Sequence, residues 1–279
     1  MDDRNISPAV KYSIYFLMLL FAVLAIYPLF WLFTQSLKTT QEYLTSSKLS
    51  LPKALFFGNY SYTWKMGKFG TLFLNSVFYT FVTVTAVVVL ALMAGFGFSK
   101  LKFKVTPFLH GLFIIGILLT LQSIMVPLFL MVNAAKLYNT RIGVLIPYIG
   151  LGLPMGVYLC TEFIKSIPNE LIESARIDGA GYLRIFARII FPMCAPVAVT
   201  LAIITFTATW NEFMLINILT SNDAIKSLPV GIARFSGALG SDYGRQFAGL
   251  VIGLVPILVF YGIFRNQITK GVAAGAVKG

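Results

Sequence analysis

Bond-making chemistry needs a nucleophile beside a base, a carboxylate pair, or several metal ligands converging on one site. The raw material for any of these is sparse: one histidine, His110, two cysteines, Cys160 and Cys194, and 10 Asp and Glu among 279 residues. Both cysteines fall in or beside apolar stretches, where isolated thiols behave as small buried hydrophobes, so neither a disulfide nor a metal site is expected. His110 has no Cys, Asp or Glu at ligand spacing and reads as a satisfied structural histidine. The one Gly-Lys pair, Gly67-Lys68, is followed by Phe69 instead of Ser or Thr and lacks the earlier glycine of a phosphate loop. No catalytic residue and no bound cofactor are expected on this chain. The acids within or near apolar stretches are Glu162, three residues before Lys165, and Glu212 in Trp210-Asn211-Glu212-Phe213. Both look terminal, whereas a proton-coupled carrier places acids or histidines in the membrane interior.

Polar side chains concentrate instead in 168–192, PNELIESARIDGAGYLRIFARIIFP. Pro168 suits the first turn of a helix, Glu170 and Glu173 sit near its positive end, and Gly179 supplies a left-handed residue that stops it. Beyond Gly179, Leu183, Phe186, Ile189 and Ile190 recur at helical spacing. Arg184 and Arg188 form a basic stripe beside them, and Pro192 marks entry to the next apolar stretch. A charged helix-turn-helix belongs in water. Its apolar face, with Leu171, Ile172, Ala175 and Ile177, predicts a docked protein partner.

The elements that must position this hairpin are set by composition. With 58% hydrophobic residues, 11% charged and a mean hydropathy of +0.83, the chain reads as an all-α polytopic membrane protein. A formal net charge of +12 would suggest nucleic acid in a soluble protein, but here the basic residues flank apolar spans and face lipid headgroups. Six transmembrane helices are expected at about 12–33, 71–98, 107–132, 142–163, 193–216 and 247–264, each near the ~20 residues that cross a bilayer. The first is too long for a signal-peptide core and is retained. Pro147, Gly150, Gly152, Pro154 and Gly156 predict a kinked or locally unwound fourth span. Segments 34–70 and 217–246 are too polar and interrupted to cross lipid, and Tyr60, Tyr62 and Trp64 suit an interface belt. Six spans put both termini on one side, with the hairpin.

At 173–192 the residues resemble a known family. Glu-Ala-Ala, three residues, Gly, nine residues, Ile-x-Leu-Pro is the cytoplasmic coupling loop of ABC importer permeases, and Glu173, Ala175, Gly179, Ile189 and Pro192 fall on it. Ser174 stands for the second Ala and Phe191 for the Leu, both modest changes. Asp178-Gly179-Ala180 looks like the sugar-transporting branch, and the Gly- and Ala-rich tail 271–279 is similar to the end of MalG-type permease subunits, so the resemblance covers about 73–279.

It implies a single transmembrane domain: a permease core at about 71–264 formed by spans two to six, an added N-terminal span, a coupling loop at 165–192 and a tail at 265–279. It also implies ATP-driven, binding-protein-dependent uptake of a sugar or oligosaccharide by alternating access, in the cytoplasmic membrane of a bacterium or archaeon, with both termini cytoplasmic. The implied partners are a second permease subunit, two ATPase subunits that carry ATP and Mg, and an extracytoplasmic solute-binding protein. The coupling residues would be Glu173, Ser174, Ala175, Asp178, Gly179, Ala180, Ile189 and Pro192. The tail residues Gly275, Ala276, Val277, Lys278 and Gly279 would reach between the ATPases, against the alternative of a frayed end.

Polar residues at span depth that suit a sugar path are Asn75, Gln122, Ser123, Asn133, Tyr148, Thr205, Thr207, Thr209, Trp210 and Asn211, since sugars bind aromatic faces, amides and hydroxyls. The competing reading is that these side chains bond one transmembrane helix to the next. A secondary carrier or channel for a small polar solute, and a membrane-embedded enzyme, are the rival functional classes.

Overall fold

The structure, a computed structural model, describes residues 8–65, 67–101, 104–237 and 240–276. In chain order the helices are α1 (Pro8–Ser36), α2 (Thr40–Thr45), α3 (Gly58–Lys65), α4 (Phe69–Lys100), α5 (Thr106–Ile117), α6 (Leu121–Ala134) and α7 (Arg141–Lys165). They continue with α8 (Glu170–Ile177), α9 (Tyr182–Ile185), a π turn at Phe186–Ile190, α10 (Phe191–Met193), α11 (Ala195–Trp210) and α12 (Met214–Leu219). A 3-10 turn at Asp223–Ile225, α13 (Leu228–Ala233), a two-residue hairpin of β1 (Ser236–Gly237) and β2 (Gly240–Ser241), and α14 (Tyr243–Ala276) complete the order.

Among the described residues, four helical segments are long and apolar enough to cross a bilayer: Val10–Ser36, Phe69–Lys100, Arg141–Lys165 and Tyr243–Arg265. Two bent pairs, Thr106–Ile117 with Leu121–Ala134 and Tyr182–Met193 with Ala195–Trp210, bring the number to six.

The first bend corrects the expectation of a continuous third span; the second falls where Pro192 was expected to mark entry to the fifth. The third span turns by 110° at 118–120. The Leu118 N–H is drawn back to the Ile115 and Gly116 carbonyls, Thr120 takes an extended backbone (φ −80°, ψ 144°), and its hydroxyl lies 2.7 Å from that of Ser123. One helix thus ends and the next begins within three residues, with no side-chain cap from Thr120 to the backbone of α6. The fifth span turns by 74° at Cys194. Pro192 and Pro196 flank the bend, and neither has an N–H to donate four residues back, so a ladder bond is missing on each side of Cys194, whose own N–H still reaches the Ile190 carbonyl at 2.9 Å. Before it, the Phe191 N–H reaches the Phe186 carbonyl, the wider bond of a π turn. The fifth span ends at Trp210 and not at 216, because 211–213 form a second break.

The fourth span is not unwound: α7 runs as one helix through Pro147 and Pro154. Its glycines serve packing. A Cβ on Gly152 would stand 2.8 Å from the Val87 side chain, one on Gly156 3.0 Å from the Ala91 Cβ, and one on Gly95 2.9 Å from the Cys160 carbonyl carbon. Val87, Ala91 and Gly95 on α4 thus face Gly152, Gly156 and Cys160 on α7 at four-residue spacing, the small-residue seam that lets transmembrane helices approach where lipid offers no hydrophobic drive. The sixth span is longer than expected, and its helix continues through Ala276.

The chain forms two compact units. One comprises residues 1–69 and 231–255, the other residues 70–230 and 256–279. In the first, polar groups buried after α1 are tied together. Asn59 donates to the Ser36 and Lys38 carbonyls at 2.8 and 2.7 Å, and Gly244 approaches so closely that a Cβ there would meet the Lys38 carbonyl oxygen at 2.6 Å. Lys38 is fully buried and donates to the Ser50 hydroxyl at 3.0 Å; burial pushes its pKa down, while Glu42 pulls it back up. Tyr60 does not face an interface belt freely, since its hydroxyl lies 2.5 Å from that of Ser36, and Arg245 lies over the Tyr62 ring at 3.5 Å. Asn59→Ala should cost about 2 kcal/mol by stranding two buried carbonyls. Thermal unfolding in detergent checks this; an unchanged midpoint contradicts it.

In the second unit, one core joins Val87, Leu92 and Phe96 of α4, Val157 and Ile164 of α7, Ile172 and Ala175 of α8, Ile185, Ile190, and Val197 and Leu201 of α11. The polar hairpin is therefore built into the same core as three spans. His110 packs edge-on to Phe98 at 5.7 Å, while its Nε2 is buried without a hydrogen-bond partner, against the expectation of a satisfied histidine.

Candidate functional site

The hairpin's geometry explains its sequence spacing. Helix α8 ends in a Schellman turn: the Gly179 N–H donates to the Arg176 carbonyl at 3.0 Å, and the Ala180 N–H reaches back to the Ala175 carbonyl at 2.9 Å. Gly179 sits at φ +77°, a conformation that costs a side-chain-bearing residue about 1–2 kcal/mol. Ala180 packs against the core that contains Ala175, the apolar contact that accompanies this turn. Lys100 pins the entry by donating to the Ile167 carbonyl at 2.6 Å and to Asn169 Oδ1 at 2.8 Å.

Ala175 is 9% exposed and Ile172 7%, so both face the chain's own core and not a partner. What the hairpin presents outward is Glu173, Ser174, Asp178 and Gly179, together with Ile177 at 87% and Leu183 at 81% exposure. Leu183 was read from the sequence only as part of a periodic pattern. Its place directly after the glycine turn was the available signal. Ile189 is half-buried against the core, and Pro192 is exposed beside the bend. Nothing in the chain lies within 4 Å of a Cβ built on Gly179, so the space before it is open.

The polar residues considered for a path separate into groups. Tyr148, Thr205, Thr209 and Glu212 meet at a cavity of about 250 Å³ whose other walls are Leu121, Leu151, Gly152, Met155, Leu201, Ile204 and Ala208. Asn75 is elsewhere: its Nδ2 donates to the Ala224 and Lys226 carbonyls at 2.8 and 3.0 Å, and its Oδ1 accepts from Arg141 at 3.1 Å. With Tyr79, whose hydroxyl donates to the Ile225 carbonyl at 2.8 Å, and Ser76, which accepts from the Leu228 N–H, it anchors 224–228. Trp210 is buried in an aromatic group with Phe73 and Phe206. Asn211 caps α11 by donating to the Thr207 carbonyl at 2.9 Å. Gln122, Ser123, Asn133 and Thr207 are exposed and do not line the cavity.

Glu212 is the residue whose role sequence reasoning missed. Its carboxylate accepts from the Leu215 N–H at 2.6 Å, the Ile216 N–H at 3.1 Å and the Tyr148 hydroxyl at 2.6 Å. It therefore starts α12, sets the break in span five and ties that break to α7. Glu162 does stand as expected, in an exposed ion pair with Lys165 at 2.6 Å. Of the tail, Val277, Lys278 and Gly279 lie outside the described residues, while Gly275 and Ala276 fall in the last turn of α14.

An all-α chain with up to six spans, broken helices and a polar hairpin packed into their core has the architecture of a membrane transport subunit. The chain belongs to the family described as binding-protein-dependent transport system inner membrane component, which matches residues 4–270. It is therefore a multi-pass permease component of a binding-protein-dependent ABC importer. An ABC transporter permease protein of Caldicellulosiruptor sp. (strain Rt8B.4) is 38% identical over 90% of each chain. The trehalose transport system permease protein SugB of Mycobacterium tuberculosis (strain CDC 1551 / Oshkosh) is 34% identical over 91% of this chain and 93% of its own. In fold, the chain is similar to a crystallised bacterial ABC transporter involved in import of the acidic polysaccharide alginate, with a TM-score of 0.82, 20% identity and coverage of 95% of this chain and 99% of that one.

Proposed function

We propose that this permease moves a sugar or oligosaccharide and is driven through the hairpin by ATPase subunits that carry the ATP and Mg. The observation that carries the coupling reading is the Schellman-turned hairpin with Ile177 and Leu183 projecting beside an open Gly179. Glu173, Ser174, Asp178 and Gly179 would meet the ATPase directly, while Ala175, Ala180 and Ile189 hold the hairpin to its own core and Pro192 marks the bend. A sugar substrate is supported by the trehalose permease at 34% identity. A second permease subunit is supported by the first span, none of whose most apolar window is buried within the chain. The tail 275–279 would contact the ATPases, both termini and the hairpin would face the cytoplasm, and 34–70 with 217–246 would meet the solute-binding protein. The permease core would run from about 71 to 264.

The test is reconstitution with the co-expressed partners and a sugar panel. ATP-dependent uptake of at least one sugar is expected. Ile177→Glu with Leu183→Glu should lower it more than tenfold and release the ATPases while the chain stays in the membrane. Uptake that persists without ATPase subunits would overturn the reading in favour of a carrier.

A further inference from the structure

We propose that the cavity at the break in span five is a subsite for a single neutral sugar ring, with Tyr148, Thr209 and Glu212 as its polar contacts. The inference rests on the sugar reading above and assigns part of the substrate's recognition to this chain.

The cavity combines the two features of a small-molecule site: apolar walls and a few convergent polar groups. Leu121, Leu151, Met155, Leu201 and Ile204 supply the walls, and the polar groups come from two different elements, Tyr148 on α7 and Thr209 with Glu212 at the end of α11. At about 250 Å³ it lies just under the ~300–1,000 Å³ of sites for larger organic ligands, so it takes one ring and not a chain of them.

The hydrogen-bond arithmetic selects the ligand chemistry. A carboxylate offers about four lone-pair sites. Glu212 uses three, for the Leu215 and Ile216 N–H groups and the Tyr148 hydroxyl. One acceptor site remains on Oε1. The Tyr148 hydroxyl has spent its proton on Glu212, so toward the cavity it too can only accept. The pair asks for donors, and the Thr209 hydroxyl can give or take. A polyhydroxylated ring meets that demand, and its apolar C–H face suits Met155 and Leu151. A carboxylate-bearing or phosphorylated ligand would meet two acceptors and be repelled. Because the Glu212 geometry is fixed by two backbone N–H groups, the acceptor is positioned before any ligand arrives, which favours discrimination over adaptability.

The experiment uses the complete complex in proteoliposomes, with saturating sugar-loaded binding protein, and compares uptake of the transported sugar with that of its monodeoxy derivatives. Tyr148→Phe keeps the ring and the packing but removes the acceptor, and Thr209→Val removes the second hydroxyl at nearly constant volume. Each variant should reduce discrimination against one monodeoxy derivative by about tenfold, the worth of one hydrogen bond, and the two should act at different hydroxyl positions. Equal loss for every sugar would mean that Tyr148 only latches α7 to the break, and unchanged discrimination would mean that the ring never enters; either overturns the subsite. A sodium requirement abolished by Glu212→Gln would overturn it in favour of a cation. A wild-type complex that moves no sugar would instead bring down the sugar reading on which the proposal rests.

Discussion

Replacing Gly179 by leucine is expected to reduce ATP-driven uptake to background while the protein still reaches the membrane. Two effects combine. At φ +77° the backbone penalises any Cβ by about 1–2 kcal/mol, enough to loosen the Schellman turn but not to unfold a chain whose core lies elsewhere. On the coupling reading the second effect is larger, because a partner's surface would seat in the open space before Gly179 and a leucine would hold that surface away. Gly179→Asn separates the two, since asparagine tolerates the left-handed conformation and adds only bulk. On the coupling reading, Asn should still lower uptake more than tenfold and weaken retention of the ATPase subunits in a pull-down. Full uptake in the Asn variant would show that Gly179 matters only as a turn residue.

A large loss of stability is expected from Gly95→Leu. The atom its Cβ would meet at 2.9 Å is a backbone carbonyl carbon of Cys160, with the Thr161 amide nitrogen at 3.0 Å, and neither can rotate away as a side chain would. The seam between α4 and α7 would have to open, for about 1–3 kcal/mol or more. Beyond Gly95, the Ser99 hydroxyl donates to the Thr161 carbonyl at 2.9 Å, so the same movement would also break a hydrogen bond. The matched control is Gly97→Leu, because a Cβ there meets nothing within 4 Å. Thermal unfolding in detergent should show Gly95→Leu well below wild type and Gly97→Leu close to it. Equal midpoints would remove the seam from the account.

What could be read in the sequence was what a short window or an average determines. The Glu173 to Gly179 spacing is a helix end, and every bond that makes it lies within six residues, so it was legible with its turn type. Apolar length located the spans. The boundary at Pro192 was legible, but the breaks at 118–120 and 211–213 were not, because each depends on a few polar atoms that hydropathy averages away: the Thr120 and Ser123 hydroxyls and the Glu212 carboxylate. The Thr120-x-x-Ser123 pattern was a signal for the first. Glycine in the fourth span was misread because its meaning lies on another helix: Gly152 and Gly156 read as weakness until Val87 and Ala91 are seen opposite them. Asn75 shows the same limit, since an amide at span depth suits a path or an anchor equally, and only the Ala224 and Lys226 carbonyls distinguish them.

The bend at Cys194 has a mechanical meaning. Residues 182–193, which include the π turn, and α11 are two helical arms joined at a bend where each flanking proline removes one ladder bond. Helix α11, 16 residues and about 24 Å long, has the hairpin's arm at one end and the Glu212 break at the other. On the coupling reading the assembly would act as a bell crank: a push on Leu183 would swing the first arm, the 74° elbow would redirect the stroke, and the second arm would deliver it to the carboxylate that holds Tyr148. On that reading, work done at the hairpin would reach the cavity through one linkage bent between the two prolines.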